Sequence, residues 1–435
     1  MRRRTFIKQI AAAGALAACP ITSLLSLVSC DSTSQEPTDL PDDLSFDLDE
    51  VIDRRNTWSI QMKRVEDSAD DKLAMWIADM DFRTDPYVRR AMQQRIEQTV
   101  MGYTYAPDQY YQAIAHWFAQ QHNYEVDPSW ILPAPGVIAG INQGILCFSA
   151  PGDKVIVQTP VYNPFFQYVE RLGRQVVNNP MIYEQGHYRL NLEELEQICS
   201  SQHPKILILC NPHNPVGIVW SRETLAQIAD ICHRHHVLVF ADEIHADLVL
   251  EGSPAYTPFC SVSQAAAQTG IIFSSPTKTF NMAGLAGMAH CIIPDEQIRK
   301  RFEGFLAAAK QDEPSLISLV GTIAGYTHPT TWLEAVRSYL KANVDHLISY
   351  FEQNIPQITP IAPQASFLIW LDCRKLNLPQ EELVRLFSDK AGIIVNDGSR
   401  FGLGGEGFIR LNIGCPRSKL DECLRRLHNA IHIYA

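Results

Sequence analysis

In Lys205-Ile206-Leu207-Ile208-Leu209-Cys210 a lysine opens an unbroken apolar run, closed at once by Asn211-Pro212-His213-Asn214-Pro215-Val216-Gly217. Five consecutive apolar positions followed by a Pro/Asn turn read as a strand buried on both faces, then a loop. The same grammar recurs downstream. Val237–Ala241 is followed by Asp242-Glu243-Ile244-His245, and Gly270–Ser274 by Ser275-Pro276-Thr277-Lys278-Thr279-Phe280-Asn281. Lys154–Gln158 and His290–Ile293 are further strand-like pieces. Between the runs lie amphipathic stretches such as Ser221–His235, with Ser221 placed to cap a helix. Strands alternating with helices predict an α/β fold, a mainly parallel sheet covered on both faces. Ligands of such sheets collect where strands end, so the three loops are the places to look for chemistry.

Beyond about residue 325 the pattern changes. A long helix over Trp332–Phe351, strands at Ser366–Leu371 and Phe408–Ile413, and a last helix from Lys419 predict a smaller second α/β domain. Residues 46–90 are assigned to an N-terminal segment joining that small domain, 91–325 to the large domain and 326–435 to the small one.

The chain of 435 residues carries a formal net charge of -11, which argues against nucleic acid as the main partner. Its eleven cysteines are scattered and form no CxxC pair, so buried small hydrophobes are expected rather than metal ligands. Cys232-His233-Arg234-His235-His236 falls at a helix C-terminus, where cationic side chains suit the dipole, and no metal site is assigned. Gly402-Leu403-Gly404-Gly405-Glu406-Gly407 satisfies GxGxxG, but a strand follows it rather than a helix, so a flexible loop near the site mouth is expected instead.

The N-terminus has a basic head, Arg2-Arg3-Arg4-Thr5-Phe6-Ile7-Lys8, and an Ala/Leu-rich run to Val28. This is the form of an export signal, and Arg3-Arg4-Thr5-Phe6-Ile7-Lys8 resembles a twin-arginine (Tat) signal peptide. Leu27-Val28-Ser29-Cys30 resembles a lipobox, which would make Cys30 the lipidated first residue of a mature lipoprotein. Residues 1–30 are therefore expected to be an address and 31–45 a polar tether, with the protein on the periplasmic side of the cell envelope; a cytoplasmic location is the alternative.

Taken singly, each loop has a bland reading: a Pro/Asn turn, a surface acid, a loop lysine. Together, Asn-Pro-x-Asn-Pro-x-Gly, then Asp-x-x-His, then Ser-x-x-Lys resemble the pyridoxal-5′-phosphate (PLP) enzymes of fold type I, the class I/II aminotransferase or aspartate aminotransferase-like fold. The resemblance covers nearly everything after the tether. It implies a large domain built on a seven-stranded sheet, and Lys278 as the catalytic lysine that carries PLP as a Schiff base and later removes the substrate Cα proton. It further implies Asp242 against the ring nitrogen with His245 in the same motif, and Asn214 at the phenolic oxygen. Tyr162 would stack on the ring. Gly136-Val137-Ile138 and Ser275 would hold the phosphate, and Arg410 the substrate α-carboxylate. Tyr103 matches a residue that reaches the phosphate from a neighbouring subunit, which implies a homodimer with shared active sites.

Finer matches resemble the MalY/PatB group of cystathionine β-lyases. They include Asp53-Arg54-Arg55-Asn56-Thr57-Trp58, Trp76-Ile77-Ala78-Asp79-Met80-Asp81-Phe82, Ala113–Phe118, Lys278–Asn281 and Arg410–Arg417. Ala286 stands where many aminotransferases carry a phosphate-binding Arg, and Val216 where the group usually has Thr. The resemblance implies a carbon–sulfur lyase that performs β-elimination on cystathionine, cystine or cysteine, giving thiol, pyruvate and ammonia. The alternatives are a PLP-dependent aminotransferase on an amino acid/α-keto acid pair, and a PLP-fold binding or regulatory protein.

Overall fold

A computed structural model describes residues 46–434 apart from 69, 70 and 329. The basic head, Cys30 and the stretch 31–45 lie outside the described residues.

Ile206–Cys210 is a strand buried at every position, and it sits inside a seven-stranded sheet. The spatial order is Ile131–Ala134, Ala289–Ile292, Gly270–Ser274, Leu238–Asp242, Ile206–Cys210, Lys154–Val157, Gln175–Asn178. Only Ala289–Ile292 runs antiparallel to its neighbours. The α/β expectation, with a mainly parallel sheet, is met. Two strands without a strong apolar run, Ile131–Ala134 and Gln175–Asn178, complete the edges.

The pleat sends alternate side chains to opposite faces. Ile206, Ile208 and Cys210 join one apolar cluster with Val155, Val157, Phe240 and Phe273. Leu207 and Leu209 join a second cluster with Ile156, Val239, Ala241 and Ile272. Helices cover both. Arg222–Arg234 begins where the Ser221 side chain accepts the Thr224 amide, and it buries Leu225, Ile228, Ala229, Ile231 and Cys232. Those positions recur at the three- and four-residue spacing of one helix face.

A second, antiparallel sheet has the order Thr359–Ile361, Leu368–Asp372, Phe408–Asn412, Asn396–Asp397. The helix Thr331–Asn354 and the helix Arg417–Tyr434 pack with it. Asn343 ties these pieces together, donating from Nδ2 to the carbonyls of Ile413 (3.1 Å) and Cys415 (3.0 Å). Leu73–Ala74 pairs in parallel with Ile393–Ile394, so the N-terminal segment runs beside this sheet.

All nine described cysteines are free and buried, and no cluster of three metal-ligating side chains occurs among the described residues. His235 and Arg234 instead pair with Glu196 (2.7 and 2.6 Å). No helix of the described residues is long and apolar enough to cross a membrane. The glycine-rich stretch 402–407 is not the flexible loop expected. Gly402 has φ 90°, and a Cβ there would lie 2.7 Å from Phe166; a Cβ on Gly405 would strike the Gly398 carbonyl and one on Gly407 the Arg374 side chain. The glycines are needed for a close-packed turn between Ser399 and Phe408.

Candidate active site

Asp242 ends its strand, Asn214 follows the Ile206–Cys210 strand, and Ser275 caps the short helix Pro276–Thr279 that carries Lys278. Because these strands are parallel neighbours, their C-terminal loops converge. They line a cavity of about 370 Å³ together with Gly136, Val137, Ile138, Tyr162 and His245. Of the residues singled out by sequence, all but Tyr103, Arg410 and Cys30 meet here.

A second cavity, about 780 Å³, adjoins the first and shares Ala78, Tyr162, Lys278, Ala283 and Gly284 with it. Arg410 lines this second space. Tyr103 is fully exposed and touches neither cavity of its own chain. Cys30 lies outside the described residues.

Lys278 stands at the junction. Its Nζ donates to the Ala78 carbonyl, and burial brings the amine down to about 8, against the opposing pull of the Asp79 charge. An amine of that basicity is nucleophilic near neutrality. Burial likewise raises the Asp242 carboxyl to about 7, and its Oδ1 accepts the Ile244 amide at 3.2 Å. His245 is buried beside it; desolvation and the Lys278 charge lower its pKa to about 3, so it is a neutral ring.

Arg410 is buried, and burial lowers even this guanidinium to about 10. It donates to Asn214 Oδ1 (2.9 Å), to the Trp76 carbonyl (3.0 Å) and to Asn396 Oδ1 (2.7 Å), while Nε has no partner. All three acceptors are neutral. A buried cation without a carboxylate among the described residues is costly, and an incoming carboxylate relieves that cost.

The anion end of the first cavity is built differently. The helix Val137–Phe148 starts there with Gly136 at its N-cap and no side chain capping it, so its first amides remain available. Ser275 and Thr277 add hydroxyls 2.9 Å apart. No arginine lines this cavity, and Ala286 is one of its walls.

Sequence reasoning about roles missed the residues that fold the N-terminal segment over the site. Asn281 holds Met80 through its amide (3.0 Å) and through its carbonyl (3.0 Å). Asn412 donates to the carbonyls of Ile77 (2.6 Å) and Asp79 (2.7 Å). These bonds place the Ala78 carbonyl at Lys278 and the Trp76 carbonyl at Arg410. The signal was present in Trp76–Phe82, Lys278–Asn281 and Arg410–Arg417, matching segments in which only Lys278 and Arg410 were given a role.

Comparison with known proteins agrees with this geometry. The chain is 36% identical over 388 residues to cystathionine beta-lyase PatB of Bacillus subtilis (strain 168), covering 89% of this chain and 100% of that one. It is 34% identical to protein MalY of Escherichia coli (strain K12), covering 89% and 99%. The crystal structure of cystalysin from Treponema denticola, which contains a pyridoxal 5′-phosphate cofactor, superposes with a TM-score of 0.86 at 30% identity, covering 90% and 100%. Residues 70–427 match the family model for aminotransferase class I and II. The chain belongs to the class I and II aminotransferase family.

Proposed function

We propose that this protein is a PLP-dependent carbon–sulfur lyase that eliminates the β-thiol of an S-substituted L-cysteine, releasing thiol, pyruvate and ammonia. One observation carries the reading: the Lys278 amine lies between a cavity floored by Asp242 and a cavity walled by Arg410, whose hydrogen-bond acceptors are all neutral. The similarity to cystathionine beta-lyase PatB supports lyase chemistry, and the cofactor of cystalysin supports PLP.

The residues of the first cavity fit PLP. Open amides at Gly136–Ile138 and the hydroxyls of Ser275 and Thr277 suit a phosphate, Asp242 a ring nitrogen, and the buried amine of Lys278 an aldehyde carbon. Bound PLP supplies an electron sink for the charge left when the substrate Cα–H bond breaks.

The chain supplies the rest. Arg410 binds the α-carboxylate through its planar fork and so orients Cα. Lys278, with its amine near 8, accepts the Cα proton at Nζ. Asp242 would face the ring nitrogen; burial keeps its carboxyl protonated up to about pH 7 in the empty cavity, and that proton would be shared with a bound ring, whose protonated nitrogen the carboxylate then stabilises. Asn214 accepts from Arg410 at Oδ1, so its Nδ2 would be free to donate to the phenolic oxygen of a bound ring. Tyr162 packs along the shared wall of both cavities. With its Cα proton gone, the substrate expels the β-thiolate, and hydrolysis of the remaining fragment gives pyruvate and ammonia.

The test is pyruvate release from PLP-loaded protein given L-cystathionine or L-cystine, with and without an added α-keto acid. Release without the acceptor is expected. Turnover only with it makes the protein an aminotransferase.

The functional unit in this reading is a homodimer in which Tyr103 reaches the partner's phosphate site. Ile96, Val100, Met101, Tyr103 and Tyr105 are 53 to 110% exposed, an apolar run that a second copy would cover. Sedimentation at micromolar concentration should give twice the chain mass, and Tyr103→Phe should weaken PLP retention. The reading also includes export to the cell envelope with lipidation at Cys30, supported by the basic head and the Leu27–Cys30 pattern. Cys30→Ala should move the protein out of the membrane fraction, and unchanged fractionation excludes the anchor.

A further inference from the structure

We infer that Arg64 and Arg400 form a second anion-binding position in the substrate cavity, and that the preferred substrate carries a carboxylate on its leaving thiol. This rests on the lyase reading for the identity of the leaving group.

Four arginines line the 780 Å³ cavity: Arg54, Arg64, Arg400 and Arg410. Arg54 is neutralised by Asp79 and Asp81, at 2.8 Å from each. Arg410 is the one assigned to the α-carboxylate. Arg64 and Arg400 have no hydrogen bond or ion pair among the described residues. Arg64 lies with its Cζ 3.8 Å from the centre of the Trp76 ring, a cation held on an aromatic face. Trp76 is the same residue whose carbonyl accepts from Arg410. One residue therefore carries the α-carboxylate arginine on its main chain and Arg64 on its indole. The Arg400 charge also acts on Arg64, lowering its pKa after burial does, so the two guanidiniums repel each other.

Both side chains are solvent-exposed at the mouth of the cavity, so neither charge is costly to leave alone; two like charges facing one cavity without a counter-ion among the described residues instead raise the local concentration of an anionic occupant. Lys278 and Arg410 locate the amino-acid end of the substrate, so what reaches Arg64 and Arg400 is the substituent on sulfur. A space of about 780 Å³ falls within the range of small-molecule sites and accommodates a substrate with a charged second arm. The homocysteine half of cystathionine and the second half of cystine both have that chemistry. A plain S-alkyl group leaves both arginines unpaired.

An isosteric pair of substrates separates charge from shape: S-(2-carboxyethyl)-L-cysteine and its amide, S-(carbamoylethyl)-L-cysteine. With PLP-loaded full-length protein, kcat/KM for the acid should exceed that for the amide by about 10- to 100-fold, the scale of one or two charge-assisted hydrogen bonds. Arg64→Met and Arg400→Met should each reduce that ratio, and the double variant should bring it close to one. A wild-type ratio near one, or a ratio the variants leave unchanged, overturns the inference. If the wild type releases pyruvate from neither compound, the lyase reading fails. Calorimetric binding of the same pair to wild type and double variant then decides the arginine assignment, by the same ratio.

Discussion

Arg410 Nη1 donates to Asn214 Oδ1 at 2.9 Å, joining a strand of the small antiparallel sheet to a loop at the end of the large parallel one. The bond couples the group that would orient the substrate carboxylate to the group that would hold the ring oxygen. Replacing Arg410 with Lys keeps the charge and loses the fork. Arg410→Lys should lower kcat/KM by about 10²-fold, mostly through KM, since each charge-assisted bond lost is worth roughly tenfold or more. Unchanged KM for the variant would place the carboxylate elsewhere.

Lys278→Ala should lower pyruvate release by about 10²- to 10⁴-fold, the range supplied by a positioned proton acceptor. The variant should also lack the visible absorption band of lysine-linked PLP, and borohydride followed by peptide mass analysis should find no modified residue at 278. Wild-type turnover in the variant would sink the assignment.

Burial raises the pKa of Asp242 from 3.8 to about 7. A group with a higher pKa folded than unfolded contributes stability that is full below the unfolded value and lost as pH rises through the folded one. In cofactor-free protein the Asp242 contribution should therefore fall between pH 4 and 7. Buried His213, His245 and His290, with pKa values lowered to between about 3 and 4, act with the opposite sign below 6.5. The measurement is consequently a difference: the unfolding free energy of wild type minus that of Asp242→Asn should drop by a few kcal/mol from pH 4 to 7. A flat difference would mean that Asp242 is ionised throughout.

Gly405 packs against the Gly398 carbonyl in the turn before Phe408–Asn412. Backbone cannot yield as a flexible side chain does, so Gly405→Ala should destabilise by about 1–3 kcal/mol in denaturant titrations. It should also weaken substrate binding, because Arg400 and Phe401 lie in the same turn and line the cavity. An unperturbed midpoint would indicate a loop free to move after all.

Thr279 Oγ1 donates to Asp247 Oδ2 at 2.6 Å, and Asp247 Oδ1 accepts from Trp117 (3.0 Å) and meets His122 (2.9 Å). This buried carboxylate anchors the chain one residue beyond Lys278. Asp247→Ala should cost about 3–5 kcal/mol, the usual consequence of stranding buried partners, measurable as a lower unfolding midpoint. A loss under 1 kcal/mol would show that the partners find other acceptors.

Much of this molecule was legible in one dimension. Lys205–Cys210, Val237–Ala241 and Gly270–Ser274 announce buried parallel strands, because a strand covered on both faces must be apolar at consecutive positions. Asn214, Asp242, Ser275 and Lys278 follow those strands directly, and parallel strands deliver their ends to one edge. Edge strands such as Gln175–Asn178, half-exposed, lack that signature. What no local pattern carries is the closure of the N-terminal segment over the site. The Ala78 carbonyl at Lys278 and the Trp76 carbonyl at Arg410 join residues 200 and 334 positions apart. Asn281 and Asn412 hold that closure through backbone groups, which look the same in every sequence. The strands and their catalytic loops were thus determined by side-chain burial along the chain. The pairing of Lys278 with Ala78, the burial of Arg410 among neutral acceptors, and the two unpaired arginines on one cavity were decided only by tertiary packing, since each depends on which distant backbone arrives there.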